Sequence, residues 1–293
     1  MTGEMQARVR LFAAIEGGSQ YWCDEIKERG ALETLDRFTS GGYADNNHGA
    51  NSIMNKLLQR SFDQLLEEIA TSGGELLTPD DLDWPMQLND LAAPPIALIL
   101  KGNRESLPKL DKSLSIVGTR NPSQYGIRIA GDFAAGAVDH DWAIISGGAY
   151  GIDSASHKSA LISEGITVAV LAGGLHHNYP AGNQRLFEEI QSEGFLISEV
   201  MPFIRAEPFR FLIRNRIIAA LSKGTVVIEA AFRSGSLRTA RDAADLLRQV
   251  MAVPGPITSP TSDGCHRLIA ERSAELVSSI ADVMELVNPL GAE

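Results

Sequence analysis

Apolar residues recur at helical spacing early in the chain and in short unbroken runs from residue 114 onward. Leu57, Phe62, Leu65, Leu66 and Ile69, with Asp63, Glu67 and Glu68 between them, predict an amphipathic helix in a helical segment covering residues 1 to about 75. The turn-rich stretch Ser40–Asn51 predicts a loop between helices. Pro79, Pro85, Pro94 and Pro95 predict an extended connector, with a strand at Ala97–Leu100.

The period then changes. Predicted strands are Leu114–Gly118, Ala143–Ser146, Thr167–Leu171, Phe195–Glu199, Thr225–Glu229 and Val250–Val253. Between them lie helical segments at Tyr125–Val138, Ile152–Glu164, Gln184–Gln191, Asn215–Ser222 and Leu237–Arg248. A last helix, Ser278–Val287, precedes a short tail from Asn288 to Glu293. Continuous Val, Ile and Leu runs separated by helices mean strands covered on both faces, hence an α/β, doubly wound parallel sheet. The expected division is a helical amino-terminal domain (1–78), a connector (79–112) and a sheet domain (113–288). Such a sheet binds ligands at the carboxyl ends of its strands, near the switch in strand order.

Composition narrows the classes. With 44% hydrophobic and 22% charged residues, the chain is globular rather than disordered or fibrous. Two cysteines, Cys23 and Cys265, are too few for a disulfide framework and lack the neighbours of a zinc site. The longest apolar runs, such as Ala93–Leu100, are too short to span a bilayer, and residues 1–20 hold no signal-type apolar core. A cytoplasmic location without membrane contact is therefore expected. The net charge of −11 argues against a nucleic-acid partner until its distribution is considered. Ser115–Leu268 holds 14 basic and 14 acidic residues, so the remainder carries the whole negative charge. Arg205–Arg248 holds nine basic and four acidic residues, a local +5. Local field decides anion binding, so a phosphate-bearing ligand stays open.

The predicted strand ends carry the candidate chemistry. The first gives Gly118-Thr119-Arg120, where backbone amides and a guanidinium suit phosphate. The second gives Ser146-Gly147-Gly148, Gly151 and Asp153 before a helix, an anion cradle at a positive helix end, although Asp153 also suits a helix cap. This spacing is neither G-x-G-x-x-G nor a Walker loop. Ser154 and His157 follow on the same helix start, a poor arrangement for a hydrolytic triad. The third carries His176-His177 with no third ligand at metal spacing, so no metal is expected. Next comes the stretch Arg205 to Arg216, in which Phe209 and Phe211 interleave with Arg210, Arg214 and Arg216. Rings that stack on bases beside guanidiniums that follow the backbone suit single-stranded nucleic acid. The plainer reading is a helix start with core rings and surface arginines. The fifth gives Ser234-Gly235-Ser236 at another helix start.

In order along the chain, these segments resemble the DNA processing protein A (DprA/Smf) family. The resemblance rests on Ile116–Arg120, Tyr125-Gly126, Ser146-Gly147, Gly151–Asp153 with His157, Val168–Val170 with Gly174, and Tyr179-Pro180. It continues through Ser198-Glu199, Phe211, Arg214-Asn215-Arg216, Glu229-Ala230, Ser234–Leu237, Thr239-Ala240 and Val253–Gly255. It covers about residues 80–275, with Asp83–Pro85, Pro94-Pro95 and Gly102 matching a lead-in segment. The resemblance implies a Rossmann-like sheet, a small helical domain before it, and a non-enzymatic, cofactor-free protein of natural transformation. Such proteins bind and protect incoming single-stranded DNA, help load RecA onto it, and act as dimers. Carried over by motif, Gly118, Thr119, Arg120, Ser146, Gly147, Gly148 and Gly151 would contact phosphates. Ser234, Gly235 and Ser236 would line the same pocket, Arg214, Asn215 and Arg216 would be its neighbours, and Phe211 would stack on a base. Gly148 and Tyr150 depart from the family's leucine and arginine, and His176 from its frequent aspartate.

The competing reading is a nucleotide-binding or nucleoside-monophosphate-hydrolysing enzyme of the lysine decarboxylase-like fold. Its Pro-Gly-Gly-x-Gly-Thr signature should follow the fifth strand, where this chain has Arg233-Ser-Gly-Ser-Leu-Arg-Thr239. A dinucleotide-dependent oxidoreductase lacks G-x-G-x-x-G after any strand.

Overall fold

Five helices occupy the amino-terminal quarter of the molecule: α1 (Gly3–Ala14), α2 (Gln20–Arg29), α3 (Ala31–Thr39), α4 (Ala50–Gln59) and α5 (Phe62–Thr71). The structure is a computed structural model and describes residues 3–43 and 48–288. The loop expected over Ser40–Asn51 therefore lies partly, and the tail after Asn288 wholly, outside the described residues. Helix α5 starts where the chain supplies a capping box. Ser61 Oγ accepts from the Gln64 N–H at 3.3 Å, and Gln64 Oε1 accepts from the Ser61 N–H at 2.8 Å.

The rest of the chain builds a nine-stranded mixed sheet. Its strands are β1 (Glu75–Leu77), β2 (Leu98–Gly102), β3 (Ser113–Val117), β4 (Ala143–Ser146), β5 (Thr167–Leu171), β6 (Phe195–Ser198), β7 (Gly224–Val227), β8 (Gln249–Ala252) and β9 (Glu275–Leu276). The helices between and after them are α6 (Gln124–Val138), α7 (Ile152–Ile162), α8 (Gln184–Glu193), α9 (Pro208–Leu221), α10 (Ser236–Asp245), α11 (Asp263–Ala270) and α12 (Ile280–Val287). The spatial order is β1-β2-β6-β5-β4-β3-β7-β8-β9. All neighbours from β6 to β9 run parallel, while β1, β2 and β6 pair antiparallel. The chain thus starts a doubly wound, Rossmann-like sheet at β3, moves out to β6, and returns to the other side of β3 at β7.

Alternation along the strands sorts the helices. Leu114, Ile116 and Ile144 face α6 and α7, whereas Ile145, Val168 and Ile197 face the layer that holds α9 and α10. Ala169, Leu171 and Leu196 bury against α8 in a core that continues into the amino-terminal helices through Leu11, Trp22 and Leu65. The helical segment and the sheet therefore share one apolar core.

Helix α9 begins at Pro208, seven residues before the start expected from periodicity. Proline at the first helical position supplies the right φ and loses no needed donor. Its far end is pinned by polar strand residues: Ser113 Oγ donates to the Leu221 carbonyl at 2.7 Å and Ser115 Oγ to that of Ile218 at 2.9 Å. These bonds satisfy carbonyls that a helix end leaves orphaned. Phe209, Arg210, Phe211, Arg214 and Arg216 consequently stand on a rigid helix.

His157 ties α7 to β5. Its Nδ1 lies 2.7 Å from Thr167 Oγ1, while Nε2 is buried without a partner. Burial, with the nearby charge of Arg214, pushes this imidazole down to about 3. An unfolded histidine binds its proton near pH 6.5, so this contribution to stability is complete above about pH 6.5 and drains away as pH falls toward 3. The slope from this residue approaches ~1.4 kcal/mol per pH unit. Denaturant midpoints for the wild type and His157→Gln should therefore converge on acidification. A constant gap between them would remove His157 as the source.

Candidate nucleic-acid interface

The strand order switches between β3 and β7, and the chain ties the segments beyond their carboxyl ends together with its own groups. Glu229, two residues past β7, is buried. Its Oε2 accepts from the Ser123 N–H at 2.8 Å, and its Oε1 from the hydroxyls of Ser123 at 2.7 Å and Thr261 at 3.0 Å. The Glu229 carbonyl takes the Thr119 N–H at 2.7 Å, and the Thr119 carbonyl takes the Ile152 N–H at 3.2 Å. Thr119 Oγ1 accepts from the Asn121 N–H at 3.3 Å. Gly118 permits this closure, because a methyl there would meet Ile152 Cγ1 at 2.6 Å and the Glu229 carbonyl at 2.8 Å.

The glycine turn after β4 differs from the expectation that it holds a phosphate. Asp153 Oδ2 accepts from the Gly147 N–H at 3.2 Å and the Ala149 N–H at 3.3 Å. The protein's own carboxylate fills the cradle. Burial pushes the Asp153 carboxyl upward, against the opposing pull of Arg214 and the backbone donors. Ser146 Oγ is turned inward and donates to the Ile116 carbonyl at 2.6 Å. The Gly148 carbonyl accepts from Asn183 Nδ2 at 2.9 Å. Gly151 adopts φ +84°, and its Cα packs against the Thr119–Arg120 backbone. These residues shape the floor and leave few donors free.

Two of the expected basic neighbours are likewise drawn inward. Arg214 is buried beneath Gly147, and its Nη1 donates to the Val170 carbonyl at 2.6 Å. Its Nε has no hydrogen-bond partner. Burial is the main reason its pKa falls to about 10; Asp153 pulls the other way, and the like charge of Arg120 adds to the fall. Arg216 forms a buried ion pair with Glu199 at 2.6 Å, so it is spent on packing rather than offered to a ligand. Arg210 reaches Glu16, between α1 and α2, with contacts of 2.8 and 3.1 Å. Arg248 pairs with Asp90 at 2.6 Å. Much of the local +5 is therefore cancelled by acids remote in sequence.

What remains open is an aromatic and guanidinium face. Arg120 is exposed, forms no ion pair among the described residues, and sets its Cζ 5.0 Å from the Phe211 ring centre. Arg214 Cζ lies 6.0 Å from the same ring, and Tyr179 meets it edge-on at 5.6 Å. One turn further along α9, Asn215 Nδ2 donates to the Gly235 carbonyl at 3.2 Å and so positions the Ser234–Ser236 turn. The Ser234 and Ser236 hydroxyls lie 2.7 Å apart, and nothing stands within 4 Å of a Cβ built on Gly235. One exposed, unpaired guanidinium, a ring and an open serine–glycine turn set positive charge beside an apolar surface. A polyanion with planar apolar groups satisfies both.

Comparison with known proteins places this geometry. The family model for DNA recombination-mediator protein A matches residues 75–288. The chain belongs to that family. It is 41% identical over 201 residues to the DNA processing protein DprA of Streptococcus pneumoniae, covering 69% of this chain and 70% of that protein. The X-ray structure of the S. pneumoniae protein superposes with a TM-score of 0.81 at 32% identity, covering 97% of each chain. A second solved structure, of DNA processing protein A from Helicobacter pylori, has a TM-score of 0.65 at 27% identity and covers 73% of this chain and 96% of that one. That structure concerns the H. pylori protein's single-stranded DNA binding mode.

Within this member of the family, three residues matter more than sequence reasoning granted. Asp153 was legible as a cap but not as the occupant of the turn. Glu229 and Tyr179 stood only as motif positions, and their roles depend on partners more than 30 residues away. Among the described residues no group of three or more His, Cys, Asp or Glu side chains is placed to hold a metal ion. His176 instead packs its ring 4.2 Å from Phe203. Nor is any helix among them long and apolar enough to cross a membrane.

Proposed function

We propose that this chain is a single-stranded DNA-binding recombination mediator of natural transformation, which protects incoming strands in the cytoplasm and helps load RecA onto them. The observation that carries the reading is Arg120, exposed and without an acidic partner among the described residues, with its Cζ 5.0 Å over the Phe211 ring at the switch point. Stacking admits any base, and the guanidinium follows a backbone whose bases are unpaired. The single-stranded DNA binding of the H. pylori relative and membership of the recombination-mediator family support the same role. The sheet unit, residues 113–288, is the DNA-binding part of this proposal, and it acts as a homodimer.

The proposal includes no catalysis and no cofactor. In support, the acids at the strand ends are engaged in structure: Asp153 holds backbone amides and Glu229 ties two loops together. Phe211→Leu tests the stacking role, since it keeps an apolar side chain but loses the ring. Binding to oligothymidine should weaken by roughly tenfold with little change in salt dependence. Equal affinity in the variant would take Phe211 out of the interface. RecA loading is checked by the rate of RecA filament growth on strands pre-coated with single-strand binding protein. The chain should accelerate it, and an unchanged rate would confine the function to protection.

A further inference from the structure

A second ring and guanidinium pair lies beyond the first. Phe232 is 54% exposed in the turn after β7, and Arg267 of α11 sets its Cζ 4.8 Å from the ring centre. The turn is rigidly held. The Gly264 N–H donates to the Ala230 carbonyl at 2.8 Å, the Ala230 N–H to Thr261 at 2.7 Å, and the Ser234 N–H to Ala231 at 2.9 Å. Gly264 makes the approach feasible, since a Cβ there would meet the Ala230 carbonyl at 2.7 Å. Arg233, next in sequence, is exposed and forms no ion pair among the described residues. Arg267 is balanced by Glu271 at 2.6 Å, which steadies the guanidinium over the ring. The free charge beside this ring is therefore that of Arg233.

The two pairs are physically linked. Phe211 and Asn215 share one face of α9, Asn215 holds the Gly235 carbonyl, and Phe232 stands three residues before Gly235. The space above Gly235 is open. By contrast, the Arg210 and Phe209 pair at the start of α9 has its cation taken by Glu16. We propose that Phe232 and Arg233 form a second nucleotide platform, so that one strand runs from Phe211 over the Ser234–Ser236 turn to Phe232. The inference rests on the single-strand reading of the Phe211 face and extends it to a longer track. Bases stack on rings regardless of sequence, and each additional stacked base adds affinity only when the strand is long enough to reach it.

Length dependence tests this directly. The full chain is titrated with oligothymidines of about six and about twenty nucleotides, using the wild type, Phe232→Ala and Arg120→Ala, with sedimentation run on each protein. Phe232 is surface-exposed, so its variant should fold normally. In the expected result, Phe232→Ala binds the short oligomer like the wild type and the long one roughly five- to tenfold more weakly. Arg120→Ala weakens both. Equal binding of the long oligomer by the wild type and Phe232→Ala would overturn the second platform and leave the first intact. A wild type that binds neither oligomer would bring down the Phe211 reading and this inference together. A Phe232→Ala protein whose molecular mass falls, with long-oligomer affinity unchanged at matched oligomeric state, would assign the patch to a second copy of the chain and overturn the proposal.

Discussion

Arg120→Ala should weaken binding to single-stranded DNA by about 1–3 kcal/mol, roughly five- to 150-fold in dissociation constant, while leaving the fold intact. The side chain is exposed, has no ion-pair partner among the described residues and sits over the Phe211 ring, so its removal strands no buried ion-pair partner. Surface substitutions of that kind shift stability by within about 0.5 kcal/mol. The loss should show in the salt dependence as well. One phosphate contact fewer reduces the slope of log affinity against log salt by ~0.7 on a single strand. Arg120→Lys keeps the charge but not the plane that lies on the ring, and should recover only part of the affinity. An alanine variant with unaltered affinity and slope would detach the Arg120 face from DNA binding.

Glu229→Ala should act on the opposite side of the ledger, in stability. The carboxylate is 2% exposed and takes the Ser123 amide, the Ser123 hydroxyl and the Thr261 hydroxyl. Deleting it leaves these donors without their acceptor in a partly buried site at the switch point, at a combined cost of ~2–3 kcal/mol. Ser123 is also the cap of α6, with its Oγ accepting from the Gly126 N–H at 3.1 Å, so the helix start loosens as well. Glu229→Gln keeps the volume but sets an amide N–H₂ against donors, and should cost less than alanine and more than nothing. Because Arg120 stands three residues before Ser123, both variants should weaken DNA binding in proportion to the loosening. Urea midpoints give the first effect and oligonucleotide titration the second. An alanine variant within about 0.5 kcal/mol of wild type would show that Glu229 is not the tie described.

The sheet was legible because its strands are buried on both faces. Thr167–Leu171 and Ala143–Ser146 are unbroken apolar runs, or nearly so, followed by glycine turns, and both are strands over those residues. The short edges were not: Glu75–Leu77 and Glu275–Leu276 span three and two residues, too few for any period to register. The start of α9 was misplaced because arginines and phenylalanines alternate there without an apolar stripe, and only Pro208 marks the boundary. For the site, sequence supplied residue types but not pairings. The nine basic residues of Arg205–Arg248 look alike in a charge count. In space, Glu16, Asp90 and Glu199 neutralise Arg210, Arg248 and Arg216, and each of these acids lies outside that stretch or on another element. The glycine turn misled for the same reason, since only the folded chain brings Asp153 into the place of the anion.

The most direct measurement is titration of a fluorescent oligothymidine with the full chain at two salt concentrations, with unlabelled single strand or duplex as competitor. The Arg120 and Phe211 face predicts tight binding that weakens as salt rises, competes with single strands and withstands duplex of equal length. Absence of binding at low salt, or equal competition by duplex, would contradict it.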